Sequence, residues 1–228
     1  MHVLVTRPQE DGEEIAARLA ELGHTALLAP LLSPQFEDGP EPDFTGVQAI
    51  LASSANGIRA LIRRTARRDI PVFAVGPQTS QEAAAAGFTD IKNADGDAQA
   101  LAEATARWTI PEKGVLLHVC GAQAPGTLAD MLSLRGFSVR RAVLYRVDAA
   151  RDLPPLAREA LAASGVDAAL FFSPRSAQIF CELAEGLPTE KLIALCISPA
   201  TAKGLSRPFG QVRIAAAPNQ TSLLALIE

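Results

Sequence analysis

Ala49-Ile50-Leu51-Ala52-Ser53-Ser54-Ala55-Asn56 and Ala168-Ala169-Leu170-Phe171-Phe172-Ser173-Pro174-Arg175 have one design: a short apolar run that stops at serine and turns. A run of four or five apolar residues bounded by turn formers is the pattern of a strand buried on both faces, as in a parallel sheet. A second matched pair lies downstream of each. Val72-Phe73-Ala74-Val75-Gly76-Pro77-Gln78-Thr79 is answered by Ala194-Leu195-Cys196-Ile197-Ser198-Pro199-Ala200-Thr201. The spacing is near-constant, 122 positions from Pro77 to Pro199 and 119 from Ser54 to Ser173. A short helix, a glycine-marked turn and another strand follow each, Asp90–Ala94 in one copy and Gln211–Ala215 in the other.

Working outward, the chain opens with Val3-Leu4-Val5, a helix from about Pro8 to Leu22, and a strand at Ala26–Pro30. Ile15, Leu19 and Leu22 give that helix one apolar face, and Gly23 supplies its left-handed stop. Asp11, Glu13 and Glu14 crowd its first turn, where the helix dipole favours negative charge. The same unit recurs as Val115–Val119, a helix over Thr127–Leu134, a stop at Gly136 and a strand at Val139–Tyr145. Strand and helix alternating in one order, used twice, predicts two similar α/β halves with parallel sheets and helices on both faces. One sheet of eight or nine strands through the whole chain is the competing arrangement. The crossings between halves fall in the extended stretches Leu32–Pro40, where Pro34 and Pro40 break any helix, and Tyr145–Asp148. Two crossings would make one domain discontinuous; the repeat alone leaves that and a plain N-half/C-half division both open.

Composition and missing motifs narrow the chemistry. A net charge of −4 argues against non-specific nucleic-acid binding, which needs a basic footprint. No run of about 18 apolar residues exists to span a membrane, and Thr6-Arg7-Pro8 interrupts the N-terminal apolar run, unlike a secretory leader. Cys120, Cys181 and Cys196 form no C-x-x-C pair and read as buried thiols of a cytoplasmic protein. His2, His24 and His118 are isolated, so no metal site is read; His118 reads as a core strand residue. Neither a dinucleotide fingerprint nor a nucleophile elbow is present. Gly121 and Gly126 have the spacing of a phosphate loop, but Thr127 stands where its lysine belongs.

What remains is a set of strand-to-helix turns rich in small polar residues: Thr6-Arg7-Pro8, Ser53-Ser54-Ala55-Asn56, Gly76-Pro77-Gln78-Thr79, Ser173-Pro174-Arg175-Ser176 and Ser198-Pro199-Ala200-Thr201. Such turns lie at the carboxyl ends of parallel strands, where ligands bind. Helices starting there offer free N–H groups to carboxylates or phosphates. Read singly, each is an N-cap, since Ser, Thr and Asn are preferred there. Five of them on two halves point to an inter-domain cleft for a polyanion, with Arg7, Ser53, Ser54, Asn56, Gly76, Thr79, Ser173, Ser176 and Thr201 as candidate substrate-binding residues.

At these turns the sequence resembles the uroporphyrinogen-III synthase family. Leu4-Val5-Thr6-Arg7-Pro8 with Gly12-Glu13, Ser53-Ser54-Ala55-Asn56, Ala74–Thr79, the strand ending in Tyr145, and Phe172-Ser173-Pro174 carry the resemblance, in order, from Leu4 to Leu226. It implies two Rossmann-like, flavodoxin-like parallel-sheet domains joined by a two-stranded connector. One would comprise residues 1–34 plus 149–228 and the other 37–146, with connectors near 33–40 and 145–148. It implies conversion of hydroxymethylbilane to uroporphyrinogen III, with loss of water and inversion of ring D, in a cytoplasmic monomer without metal or organic cofactor. Enzymes preceding or following it in the pathway are the implied protein partners. The pyrroles supply nucleophile and electron push, so the protein's work is orientation and stabilisation of an azafulvene cation. Tyr145 is the candidate catalytic residue, helping the hydroxyl depart; a buried tyrosine with its OH on a backbone group is the competing reading. The chain departs from relatives in two places. The loop Cys120–Pro125 lacks the arginines many of them carry, and Ser198 replaces their usual glycine, which implies a less free approach of the ligand. The rival from another class is a two-domain binding or sensor protein for an anionic metabolite. A DNA-binding helix pair or an export signal would mark it, and neither is read.

Overall fold

A computed structural model of the chain describes residues 1–124 and 126–227. In chain order its elements are β1 (His2–Val5), α1 (Gln9–Glu21), β2 (Thr25–Leu28), β3 (Leu32–Phe36), β4 (Val47–Ala52), α2 (Ala55–Ile62), β5 (Val72–Ala74), α3 (Pro77–Ala85), β6 (Ile91–Asn93) and α4 (Ala98–Trp108). After a 3₁₀ turn at Pro111–Lys113 come β7 (Val115–Gly121), α5 (Thr127–Ser133), β8 (Val139–Ala149), α6 (Pro155–Ala162), β9 (Ala168–Phe171), α7 (Pro174–Leu183), β10 (Ile193–Cys196), α8 (Pro199–Lys203), β11 (Gln211–Ile214) and α9 (Gln220–Leu224). The described strands form two sheets, and the chain divides into two compact units, Met1–Ser33 with Asp148–Glu228 and Pro34–Val147.

The first unit holds a five-stranded sheet in the order β2-β1-β9-β10-β11, every pairing parallel. Successive residues of its strands enter opposite faces, as strand geometry requires. Leu4, Ala169, Phe171, Ala194 and Cys196 pack under α6, α7 and α8, whereas Val3, Val5, Ala168, Leu170 and Leu195 pack under α1 and α9. In α1, Ile15 and Leu19 are fully buried, but Leu22 is 39% exposed. It stands at the C-cap, past the last turn, and the apolar face is completed instead by Gly12, buried near Leu28.

The second unit holds the sheet β3-β8-β7-β4-β5-β6, with β7–β8, β4–β7, β4–β5 and β5–β6 all parallel. Ile50, Ala52, Val72, Leu117 and Val119 face α2 and α3; Ala49, Leu51, Phe73 and Leu116 face α4 and α5. The two sheets share one spatial plan. Reading β1, β2, β9, β10 and β11 against β7, β8, β4, β5 and β6 gives the same order of strands, entered by the chain at a different point. Gly23 and Gly136, which end α1 and α5 in the two copies, have φ of +78° and +84°, the left-handed stop that disfavours a side chain.

At the centre of the second sheet, α2 lies so close to β7 that a Cβ on Gly57 would stand 2.8 Å from the Val119 carbonyl oxygen. That atom belongs to a paired strand and cannot move aside. Gly57→Ala should therefore destabilise the protein by about 1–3 kcal/mol, read as a lower urea midpoint with unchanged slope. An unshifted midpoint would mean that α2 is not held against β7 this closely.

Candidate active site

In a doubly wound sheet, ligands bind beyond the carboxyl ends of the strands where the winding reverses. That reversal falls between β1 and β9 in the first unit and between β4 and β7 in the second.

In the first unit the ends of β1 and β9 are tied by the buried Thr6 hydroxyl, which donates to the Leu170 carbonyl oxygen at 2.6 Å. Arg7 follows. Its guanidinium pairs with the buried Asp11 one turn into α1 and stacks 4.9 Å from the centroid of Phe172. The structure thus brings Arg7 to the residue preceding Ser173. Ser173 caps α7 in a capping box: its hydroxyl accepts from the Ser176 N–H at 3.1 Å, while Ser176 Oγ accepts from the Ser173 N–H at 3.2 Å. One loop further on, Ser198 accepts from the Thr201 N–H at 3.2 Å, and its hydroxyl lies 3.0 Å from that of Thr201. Ser176 and Thr201 are buried, so they act on these turns from inside.

Ser198 does not narrow its turn through the backbone. Its φ and ψ of −156° and 163° match the −164° and 178° of Gly76 at the start of α3, extended values open to any residue. Gly76 has open space around its missing Cβ, and Thr79, three residues on, is buried.

The second unit gathers Ser53, Ser54, Asn56 and Tyr145 directly. Ser54 caps α2 by accepting from the Asn56 N–H at 3.2 Å. The Asn56 side-chain oxygen accepts from Arg59, which pairs at 2.8 Å with Glu82 of α3 and so links this turn to the helix behind Gly76. Tyr145 arrives through a β-bulge. The β7–β8 register runs Cys120 beside Val143, then Gly121 beside Tyr145, leaving Leu144 as the extra residue. Bulges re-aim side chains, and here Leu144 and Tyr145 are both buried, at 4% and 6% exposure. The ring lies over Gly121, where a Cβ would sit 2.9 Å from it, and 6.3 Å from the ring of Phe36. Burial pushes the phenol above its usual range, and hydrogen bonds from Ser54 and the Gly121 backbone pull it partway back. The Tyr145 phenol thus lies beside Ser54 and Gly121 and keeps its proton at neutral pH.

Ser53, one residue earlier, faces the other side of the sheet and lies 3.1 Å from His118 Nε2. The sequence alone places His118 in the core. It is a buried strand residue, yet it reaches a candidate site residue, and the polar side chain in an otherwise apolar Val115–Val119 run is the available signal. Arg141 is its cross-strand neighbour and donates to the Ala124 carbonyl oxygen at 2.9 Å, so an arginine from β8 serves the loop that carries none of its own. Pro125 of that loop lies outside the described residues. Burial, with the Arg141 charge, lowers the His118 pKa to about 4. Among the described residues, no group of three or more His, Cys, Asp or Glu could hold a metal ion, and no helix is long and apolar enough to cross a membrane. Cys120, Cys181 and Cys196 are buried and unpaired.

Fold and site together define a doubly wound parallel α/β protein whose hydroxyls gather where the strand order reverses. A family model described as uroporphyrinogen-III synthase HemD matches residues 13–225. The chain belongs to the uroporphyrinogen-III synthase family. It is a lyase of tetrapyrrole and haem synthesis, cyclising hydroxymethylbilane to uroporphyrinogen III with loss of water and inversion of ring D. The chain is similar in fold to uroporphyrinogen-III synthetase from Helicobacter pylori, at 20% identity and TM-score 0.69 over 99% of this chain and 97% of that one. It is also similar to a mutant uroporphyrinogen III synthase from the extremely thermophilic bacterium Thermus thermophilus, at 20% identity and TM-score 0.56 over 100% and 97%. No curated protein sequence matches the chain.

The depressed His118 pKa has a consequence for stability. Between about pH 6.5 and pH 4 the unfolded histidine binds a proton that the native one refuses, so native stability falls as pH drops through that window. At pH 4.5 the loss from this group should be about 2 kcal/mol. His118→Leu should remove that part of the pH dependence in urea melts at pH 7 and 4.5. The exposed carboxylates with lowered pKa, Asp43, Asp69 and Asp152, contribute equally to both proteins. Identical pH dependence in the two would show that His118 already protonates in the native state.

Proposed function

We propose that the cyclisation is carried by the carboxyl edge of β4, β7 and β8, with Tyr145 as the acid that helps the substrate hydroxyl leave. The observation that supports this most directly is the environment of the phenol. The Tyr145 phenol is buried over Gly121 and beside Ser54, and burial keeps it protonated. Such a group can donate to a departing hydroxyl, and Ser54 and Gly121 stabilise the charge that develops on its oxygen. Bilane carboxylates are held at the turns of Arg7, Ser53, Ser54, Asn56, Gly76 and Ser173, with Thr79, Ser176 and Thr201 fixing those turns from inside. Ring D is then brought to the azafulvene cation by orientation.

The finer architecture belongs to the same reading: two Rossmann-like domains, with β3 and β8 as a two-stranded connector between residues 1–34 plus 149–228 and residues 37–146. So does a cytoplasmic monomer that works without metal or organic cofactor and exchanges substrate and product with neighbouring enzymes of its pathway.

Two measurements test the reading. Pure, chelator-dialysed protein incubated with freshly made hydroxymethylbilane should yield uroporphyrin III after oxidation, where spontaneous closure gives isomer I. Tyr145→Phe should slow turnover by roughly 10²-fold with an unchanged melting temperature. A loss of only a few-fold would return Tyr145 to a packing role.

A further inference from the structure

His118 is 2% exposed, and its Nδ1 is buried with no hydrogen-bond partner. Its other ring nitrogen lies 3.1 Å from Ser53 Oγ. A leucine at this place in β7 would leave no polar atom unsatisfied, so the histidine costs stability that packing does not explain. The neutral ring carries one proton, on one nitrogen or the other. Were it on Nδ1, an N–H would be sealed in the core without an acceptor. With the proton on Nε2, Nδ1 keeps a bare lone pair, and buried acceptors are left under-satisfied more readily than buried N–H groups. The Arg141 guanidinium beside the ring opposes a second proton. The Nε2–H therefore donates to Ser53 Oγ.

A hydroxyl that accepts this bond has its own proton to give elsewhere. Ser53 is half-buried at the carboxyl edge of the sheet. We infer that His118 is a positioning residue, holding Ser53 Oγ as an acceptor so that the Ser53 O–H is presented as a fixed donor to one carboxylate of the bilane. This rests on the reading of Ser53 as a substrate contact. Without His118 the hydroxyl is free to rotate and spends part of its time turned toward its own backbone.

The tautomer is read first, in wild-type protein. A long-range proton–nitrogen spectrum of histidine-labelled enzyme should show His118 protonated at Nε2 and bare at Nδ1; the reverse would make Ser53 the donor to histidine and overturn the proposal. Kinetics on hydroxymethylbilane then test the consequence. Ser53→Ala should raise KM about tenfold, the effect of one lost hydrogen bond to a charged group, with kcat nearly unchanged. His118→Leu should do the same, and His118→Gln, whose amide N–H can replace Nε2–H, should recover most of the affinity. In the Ser53→Ala background, His118→Leu should add nothing. An unchanged KM in Ser53→Ala would defeat the substrate contact itself, and the proposal with it. An additive effect of His118→Leu on top of Ser53→Ala would defeat the positioning role alone. If His118→Leu does not fold, the tautomer and the His118→Gln KM decide.

Discussion

Backbone hydrogen bonds pair β4 with β7 in parallel, Ile50 beside Leu117 and Leu51 beside His118, and at this ladder the second sheet reverses its winding. The chain leaves β4 toward β5 and β6 and returns on the other side through β7. The loops after β4 and β7 consequently diverge, and the space between them is where hydroxyls and backbone groups can meet a ligand. α2 must start at this point and lie flat on β7, which the missing side chain of Gly57 permits. A looser junction would move Ser53 and Ser54 away from the ends of β7 and β8, and neither hydroxyl would have its partner.

Strand alternation then divides the labour. Ser53 and Ser54 are neighbours in sequence, so they point to opposite faces of the sheet. Ser53 meets His118 on the face of α4 and α5, while Ser54 meets Tyr145 on the face of α2 and α3. In the first pair a buried group fixes the direction of a hydroxyl proton. Neutral donors of this kind suit a substrate with many carboxylates, because they can bind negative charge without adding a fixed positive charge of their own. An overall charge of −4 is compatible with such a site, since local donors and dipoles can attract an anion on a protein whose net charge is negative.

Much of this is legible in the sequence. The strands β4, β5, β7, β9 and β10 announce themselves as runs that are apolar but for His118 and end in Ser or Gly, because a strand buried on both faces seldom tolerates a polar side chain. The serine turns are legible for the same reason, as N-caps at strand ends. Other features have no local signal. β3 contains Pro34, which reads as a breaker, and a strand there is possible because β3 lies at the edge of its sheet, where a missing N–H is tolerated. The length of β8 and its bulge depend on register with β7, a property of two segments far apart in sequence. The placement of Tyr145 follows from that bulge. His118 reads as core because a lone histidine in an apolar strand usually is. It is core, and its second role exists because Ser53 of another strand ends beside it.

The shared plan of the two sheets also explains how so discontinuous a first unit closes. β1 pairs with β9, joining Val3 to Ala168 across most of the chain. Closing a loop of that length costs entropy that rises only with the logarithm of its size, and here most of the loop is not free. Residues 34–147 form a unit of their own, and within its sheet the edge strand β3 lies against β8. The Glu37 N–H donates to the Leu144 carbonyl oxygen at 3.0 Å, which brings the two ends of that unit side by side. The first unit therefore sees a short bridge where the sequence shows more than a hundred residues. Ala150 can donate to the Leu31 carbonyl oxygen at 2.9 Å, and β9 enters beside β1. In the second unit the sequence-adjacent pairs β4–β5 and β5–β6 are spatial neighbours as well, so its sheet can be built largely from near contacts. The insertion point is thus set where two antiparallel-running chain ends already lie together, and the discontinuity costs the first unit little.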